Sequence, residues 1–192
     1  MFSGITDKLI VFNMMRKLWS VHVKLTRTVI IGIANDSPTL MYDIRELLKN
    51  QEDIGNGIRE KFGDNAADTL TTLLKDHINI AGELLKAAKI NNTKSVEYQK
   101  GLWFSNADQI SKFLSGLNNN WSYDKIKNIL YDHLNLTLKE GVAQLNGKTN
   151  ESIGWYNKAL HQIISMADVL TMGTLNQIAL HGYHIASLIN SM

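Results

Sequence analysis

The chain has 192 residues, 44% of them hydrophobic and 20% charged, with a formal net charge of only +2. That composition buries a core and excludes intrinsic disorder, which needs fewer apolar residues and more net charge. Lys and Arg form no dense run, so no nucleic-acid-binding face is expected, and with no cysteine there is no disulfide, thiolate metal site or cysteine nucleophile.

The first twenty residues, MFSGITDKLIVFNMMRKLWS, mix apolar side chains with Asp7, Lys8, Arg16 and Lys17. They lack the basic start, unbroken apolar stretch and small-residue cleavage site of a signal peptide. The most apolar window, TVIIGIA at 28–34, is far shorter than the roughly 20 residues of a membrane-spanning helix. No transmembrane segment is expected, and the chain reads as a soluble, cytoplasmic protein. The apolar stretch 9–15 keeps peripheral membrane contact open as a further reading.

A first helix ends near Asn35. Ser37 reads as an N-cap with Pro38 in the first helical position, which starts a short helix running to about Lys49. The stretch NQEDIGNGIREKFGDN, with Gly55, Gly57 and Gly63, reads as a loop with a weak turn of helix. From 64 to 89 the apolar residues Leu70, Leu73, Leu74, Ile78, Ala81, Leu84 and Leu85 recur in steps of three and four, the period of an amphipathic helix. Similar patterns predict helices over 96–117, from a Ser122 cap to about Leu145, and from a Thr149 cap over 150–178. Asn146-Gly147 suits a left-handed helix stop. Strand-type alternation is nearly absent. The fold class is therefore all-α, an up-and-down bundle within a single domain over 1–192. Two helical hairpins, 64–117 and 122–178, are expected, with the N-terminal helix laid against them and a loose tail at 179–192.

Several polar residues recur inside these helices. LLKDHINI at 73–80 is echoed by ILYDHLNL at 129–136, and His77 and His133 lie 56 residues apart. HVKLT at 22–26 is a third echo, and the helices that follow carry NADQI with Asp108 and MADVL with Asp168. An internal repeat is the natural reading. Helical phase places Asp76 and Asp132 about 100° round from their histidines, so each histidine is expected to couple with the Ala-Asp aspartate of the next helix instead. Histidines and carboxylates projecting inward are how helical bundles build metal sites. The candidate ligand set is thus His22, His77, Asp108, His133 and Asp168, with Glu140 in reserve. Imidazole with carboxylate suits zinc, iron or manganese.

A second reading stands beside it. His-Asp and His-Thr hydrogen bonds can satisfy one another and fix register without metal. The chain would then be a structural or protein-interaction module acting through a protein partner or as a homodimer. The Glu-x-x-His pairs of ferritin-like di-iron bundles are absent from the sequence. No phosphate loop, nucleophile elbow or His-Glu-x-x-His helix appears, so no catalytic residue is assigned and enzymatic activity stays open. Trp19, Trp103, Trp121 and Trp155 are expected to anchor core and turns. HGYH at 181–184 sets two histidines three apart, the spacing of a surface metal pair, but reads first as a frayed tail helix.

The segments LLKDHINIAGELLKAAK, WFSNADQISKFLS, LYDHLNLTLKEGVAQLNG and ISMADVLTMG together resemble a family of small all-helical bacterial proteins of uncharacterised activity. The resemblance runs from about Trp19 to Gly173. It implies the bundle, and it supplies no activity, cofactor or site residue.

Overall fold

The computed structural model describes the backbone of residues 5–189 and the side chains of 8–176. Six helices follow one another: α1 (Ile5–Ala34), α2 (Leu40–Phe62), α3 (Asp64–Lys89), α4 (Thr93–Leu117), α5 (Tyr123–Leu145) and α6 (Thr149–Ile189). No strand occurs among the described residues. The chain is an all-α, up-and-down bundle.

The breaks between helices have local causes. Gly63 at φ +83° separates α2 from α3, and Gly147 at φ +69° follows α5, a left-handed backbone that disfavours any side chain with a Cβ. Asn92 caps α4 by accepting from the Ser95 backbone N–H, and Ser122 caps α5 by accepting from that of Lys125. Between α1 and α2, Lys89 reaches across from α3 to the carbonyl of Ile33 at 2.7 Å and to Asp36 at 2.6 Å.

Two expectations change here. Ser37 and Pro38 do not open α2; Thr39 holds the N-cap position and Leu40 begins the helix. More consequentially, the glycine-bearing stretch after Lys49 is not a loop but the second half of α2. Its buried side chains Leu47, Asn50, Gln51, Ile54 and Ile58 make one helical stripe, whose burial outweighs the helix-breaking tendency of glycine. Gly55 is there because α3 crosses close by. A Cβ at that position would lie 2.0 Å from Thr71 Oγ1 and 2.8 Å from the Ala67 carbonyl.

Because α2 is long, the N-terminal helix has a partner of its own, and the bundle consists of three hairpins. Each helix packs on its chain neighbours and α6 returns to α1, which closes the ring. Helices α1, α3 and α5 also meet one another. Met15, Leu70 and Ile126 from these three, with Trp19 and Leu130 above them, fill one end of the centre. At the other end Val29, Ile33, Leu47 and Ile78 form a smaller cluster. Trp103 and Trp121 are core anchors, whereas Trp155 lies at the surface between the ammonium groups of Lys139 and Lys158, 4.6 and 4.2 Å from its ring centre. Leu9, Ile10 and Met14 are exposed on α1. No described helix is long and apolar enough to cross a membrane. Backbone helix extends through Ile189; the side chains of His181 and His184 lie outside the described residues.

Candidate ligand site: three histidines at the bundle centre

His22, His77 and His133 come from α1, α3 and α5 and occupy corresponding places on them. Each is at most 5% exposed. They bound a common cavity of about 30 Å³, enough for one or two waters. Its other walls are largely apolar, including Val29, Ile30, Leu47, Ile78 and Leu84, with Thr26 and Thr137 one turn along. The hydroxyls of both threonines are turned back to the carbonyls of His22 and His133. The rings of His22 and His133 are 5.6 Å apart centre to centre, while His77 lies against Trp103 at 5.1 Å.

Burial in this apolar shell disfavours the imidazolium. It lowers His77 to about 4 and His133 to about 3, and it holds His22 well below the usual range, helped by repulsion from His133 and His77. All three are therefore neutral near pH 7, the protonation state of a metal-ligating or hydrogen-bonding imidazole.

Two of the rings are held by an amide from the second helix of their hairpin, and the third has one beside it. His77 Nδ1 is 2.7 Å from Asn106 Oδ1, and Asn106 Nδ2 donates to the Leu73 carbonyl. That leaves Oδ1, an acceptor only, facing the ring, so His77 Nδ1 carries the proton and Nε2 the bare lone pair. Gln162 sits beside His133 in the same way and donates to the Ile129 carbonyl at 2.8 Å. The pair is looser here, with His133 Nδ1 and Gln162 Oε1 both buried outside hydrogen-bonding geometry. His22 Nδ1 meets Gln51 Nε2 at 3.3 Å. In every case the partner lies 29 residues beyond the histidine.

The carboxylates behave differently from the expectation. Asp108 is 38% exposed and binds Lys127 and the Tyr131 hydroxyl, each at 3.0 Å. Asp168 is 32% exposed and makes a two-pronged pair with Arg16 at 2.6 and 2.7 Å. Both stand beside buried alanines, Ala107 and Ala167, and one residue is enough to turn a side chain about 100° away from the core. The residue of the NAD motif that reaches the histidine is Asn106. Glu140 is buried on α5 but answers to Arg27, which donates to it at 2.9 Å and to Ser152 at 3.2 Å. Burial raises its carboxyl to about 7 against the opposing pull of Arg27.

Thus the structure brings together the three histidines of the expected set and separates them from Asp108, Asp168 and Glu140. Among the described residues, no group of three or more His, Asp or Glu side chains is arranged to hold a metal ion. The residues that sequence reasoning missed are Gln51, Asn106 and Gln162. Their signal was the constant 29-residue step from each histidine, hidden because aspartates nearby drew the attention due to neutral amides. Comparisons with protein-family models, curated proteins and solved structures find no match.

Proposed function

We propose that the protein binds one small ligand in the three-histidine cavity, and that this ligand is a divalent metal ion of the zinc or iron(II) class. The observation that carries the reading is the threefold arrangement itself. Three neutral imidazoles meet at one cavity, and His22 and His77 hold Nδ1 against an amide of the adjoining helix, so that Nε2 is the nitrogen left for a guest. A hydrogen bond on the far nitrogen is the usual support of a metal-bound histidine. We read the constant spacings as a threefold internal repeat, with one imidazole contributed per hairpin.

The ligand set is revised to His22, His77 and His133. Without carboxylates the site favours zinc or iron over manganese, which prefers oxygen. Two imidazoles on one zinc at about 2.0–2.1 Å place their ring centres roughly 5 Å apart, close to the His22–His133 spacing. His77 has to turn from Trp103 into the cavity to complete the set. A three-imidazole ion keeps a position open for water or a substrate, though no reaction is assigned.

The test is metal content and stabilisation. Protein purified without an affinity tag should carry or take up one equivalent of zinc or iron(II), and its melting temperature should rise with added metal. His77→Ala and His133→Ala should abolish that rise. No stoichiometric metal and no shift would overturn the proposal.

A second reading rests on the absence of a preassembled ligand group. The histidine–amide pairs would then serve as a polar core that fixes helix register. In that case the three histidines should be replaceable without loss of anything except stability.

A further inference from the structure

The three hairpins are not equivalent at their polar centre, and the odd residue is Gln51. Asn50, Asn106 and Gln162 follow one another at intervals of 56 residues. Each donates its amide N–H to the carbonyl four residues before a central histidine, namely Leu18, Leu73 and Ile129. In the second hairpin the same amide then accepts from the histidine. In the first it does not, because Gln51 stands between them. Aligned on these three amides rather than on the histidines, Gln51 falls opposite Ala107 and Ile163, which have nothing to offer a ring.

Gln51 Nε2 donates to the Leu47 carbonyl at 2.7 Å and lies 3.3 Å from both Asn50 Oδ1 and His22 Nδ1. An amide NH₂ donates and cannot accept. His22 Nδ1 is therefore the acceptor, and the His22 proton sits on Nε2. His77 has the opposite tautomer, with Nδ1 protonated toward Asn106 Oδ1. Meanwhile Gln51 Oε1 is buried with no partner, a cost that native cores rarely leave unanswered.

We infer that Gln51 sets the tautomer of His22 and thereby the kind of guest the centre accepts. As arranged, His22 offers an N–H and His77 a bare nitrogen, while His133, whose Nδ1 has no partner, is held to neither tautomer. One donor beside one acceptor fits a guest that both accepts and donates hydrogen bonds, which is a single water. A metal ion needs three bare nitrogens. A rotation of the Gln51 side chain that withdraws the amide from the Leu47 carbonyl and brings Oε1 to His22 Nδ1 gives the orphaned oxygen its donor. One proton then moves from Nε2 to Nδ1 of the same ring, and Nε2 becomes a ligand. Gln51 is thus a positioning residue with two settings, one for water and one for metal. The second setting rests on the metal reading above; the first does not.

Long-range ¹H–¹⁵N spectra of metal-free protein labelled at histidine nitrogens, at pH 7.5, test it. The expected result is Nε2–H for His22 and Nδ1–H for His77. Gln51→Glu, whose carboxylate only accepts, should move His22 to the Nδ1–H form, leave His77 unchanged and tighten zinc binding by about 10-fold, the scale of supporting hydrogen bonds at metal sites. Gln51→Met, which brings no charge into the core, should shift His22 away from pure Nε2–H. His22 sharing the His77 tautomer in the parent protein, or an unmoved His22 in both variants, would overturn the inference. If neither the parent nor Gln51→Glu binds zinc, the metal setting is refuted, while the spectra still decide the tautomer assignment.

Discussion

Lowering the pH from 7.5 to 5 should strip the metal-free protein of much of its stability. The perturbation acts on His22, His77 and His133, which stay neutral in the fold because burial lowers their pKa values, to about 4 for His77 and about 3 for His133. In the unfolded chain each returns to about 6.5 and takes up a proton as the pH falls. The unfolded state then binds more protons, so stability is full above about pH 6.5 and is lost as the pH falls toward the folded values. At pH 5 each histidine costs about 2 kcal/mol, or about 6 kcal/mol for the three. Glu140 works in the other direction. Its folded pKa of about 7 is raised, so its carboxylate penalty is relieved on acidification and returns about 2 kcal/mol. The net loss is about 4 kcal/mol, a large part of a typical 5–15 kcal/mol. With a urea dependence of about 2 kcal/mol/M, the unfolding midpoint should drop by about 2 M in chelator-treated protein. His133→Leu should recover about 2 kcal/mol of that acid loss. A midpoint that holds steady or rises between pH 7.5 and 5 would refute the reasoning, because the histidines would then not be buried and neutral.

Arg27→Met strands the buried Glu140 carboxylate and should cost about 3–5 kcal/mol at pH 8, measured by urea unfolding. Because the Glu140 pKa is raised in the fold, the penalty should shrink as the pH falls through 7, and an equal penalty at pH 5.5 would contradict the assignment. Gly173→Ala places a Cβ 2.0 Å from the buried Trp121 indole nitrogen, so it should destabilise by about 1–3 kcal/mol and lower the melting temperature by roughly 3–10 °C. Gly154→Ala, with nothing within 4 Å of the added carbon, should instead raise it slightly through helix propensity. Arg16→Ala removes an exposed pair with Asp168 and should shift the urea midpoint only slightly, an effect that fades in salt.

Helix period made most of the fold legible. The step of three and four through Leu70, Leu74, Ile78, Ala81 and Leu84 gives α3 as built, and Ser122 and Gly147 mark ends that the structure keeps. The misread segment was the second half of α2. Its glycines serve a close helix crossing, and local propensity carries no information about a neighbour that arrives from Ala67 and Thr71. At the site, the histidines were legible because a polar residue on an apolar stripe has to be satisfied. The aspartates misled because helical phase is unforgiving by one residue. Ala167 faces the core, and Asp168 beside it reaches solvent and Arg16. The true partners are amides, which carry no charge and attract less notice than carboxylates. Asn106, two positions before Asp108, makes the contact because a neutral amide enters a buried site without the desolvation cost of an ion.

Cobalt(II) titration of chelator-treated protein, followed by visible absorption, tests the three-histidine metal centre most directly. The account predicts saturation at one equivalent, with the band intensity of a low-coordinate nitrogen site, competed away by zinc and lost in His77→Ala, His133→Ala and His22→Ala alike. A spectrum of free aqueous cobalt throughout, or a signal that survives all three substitutions, would contradict it.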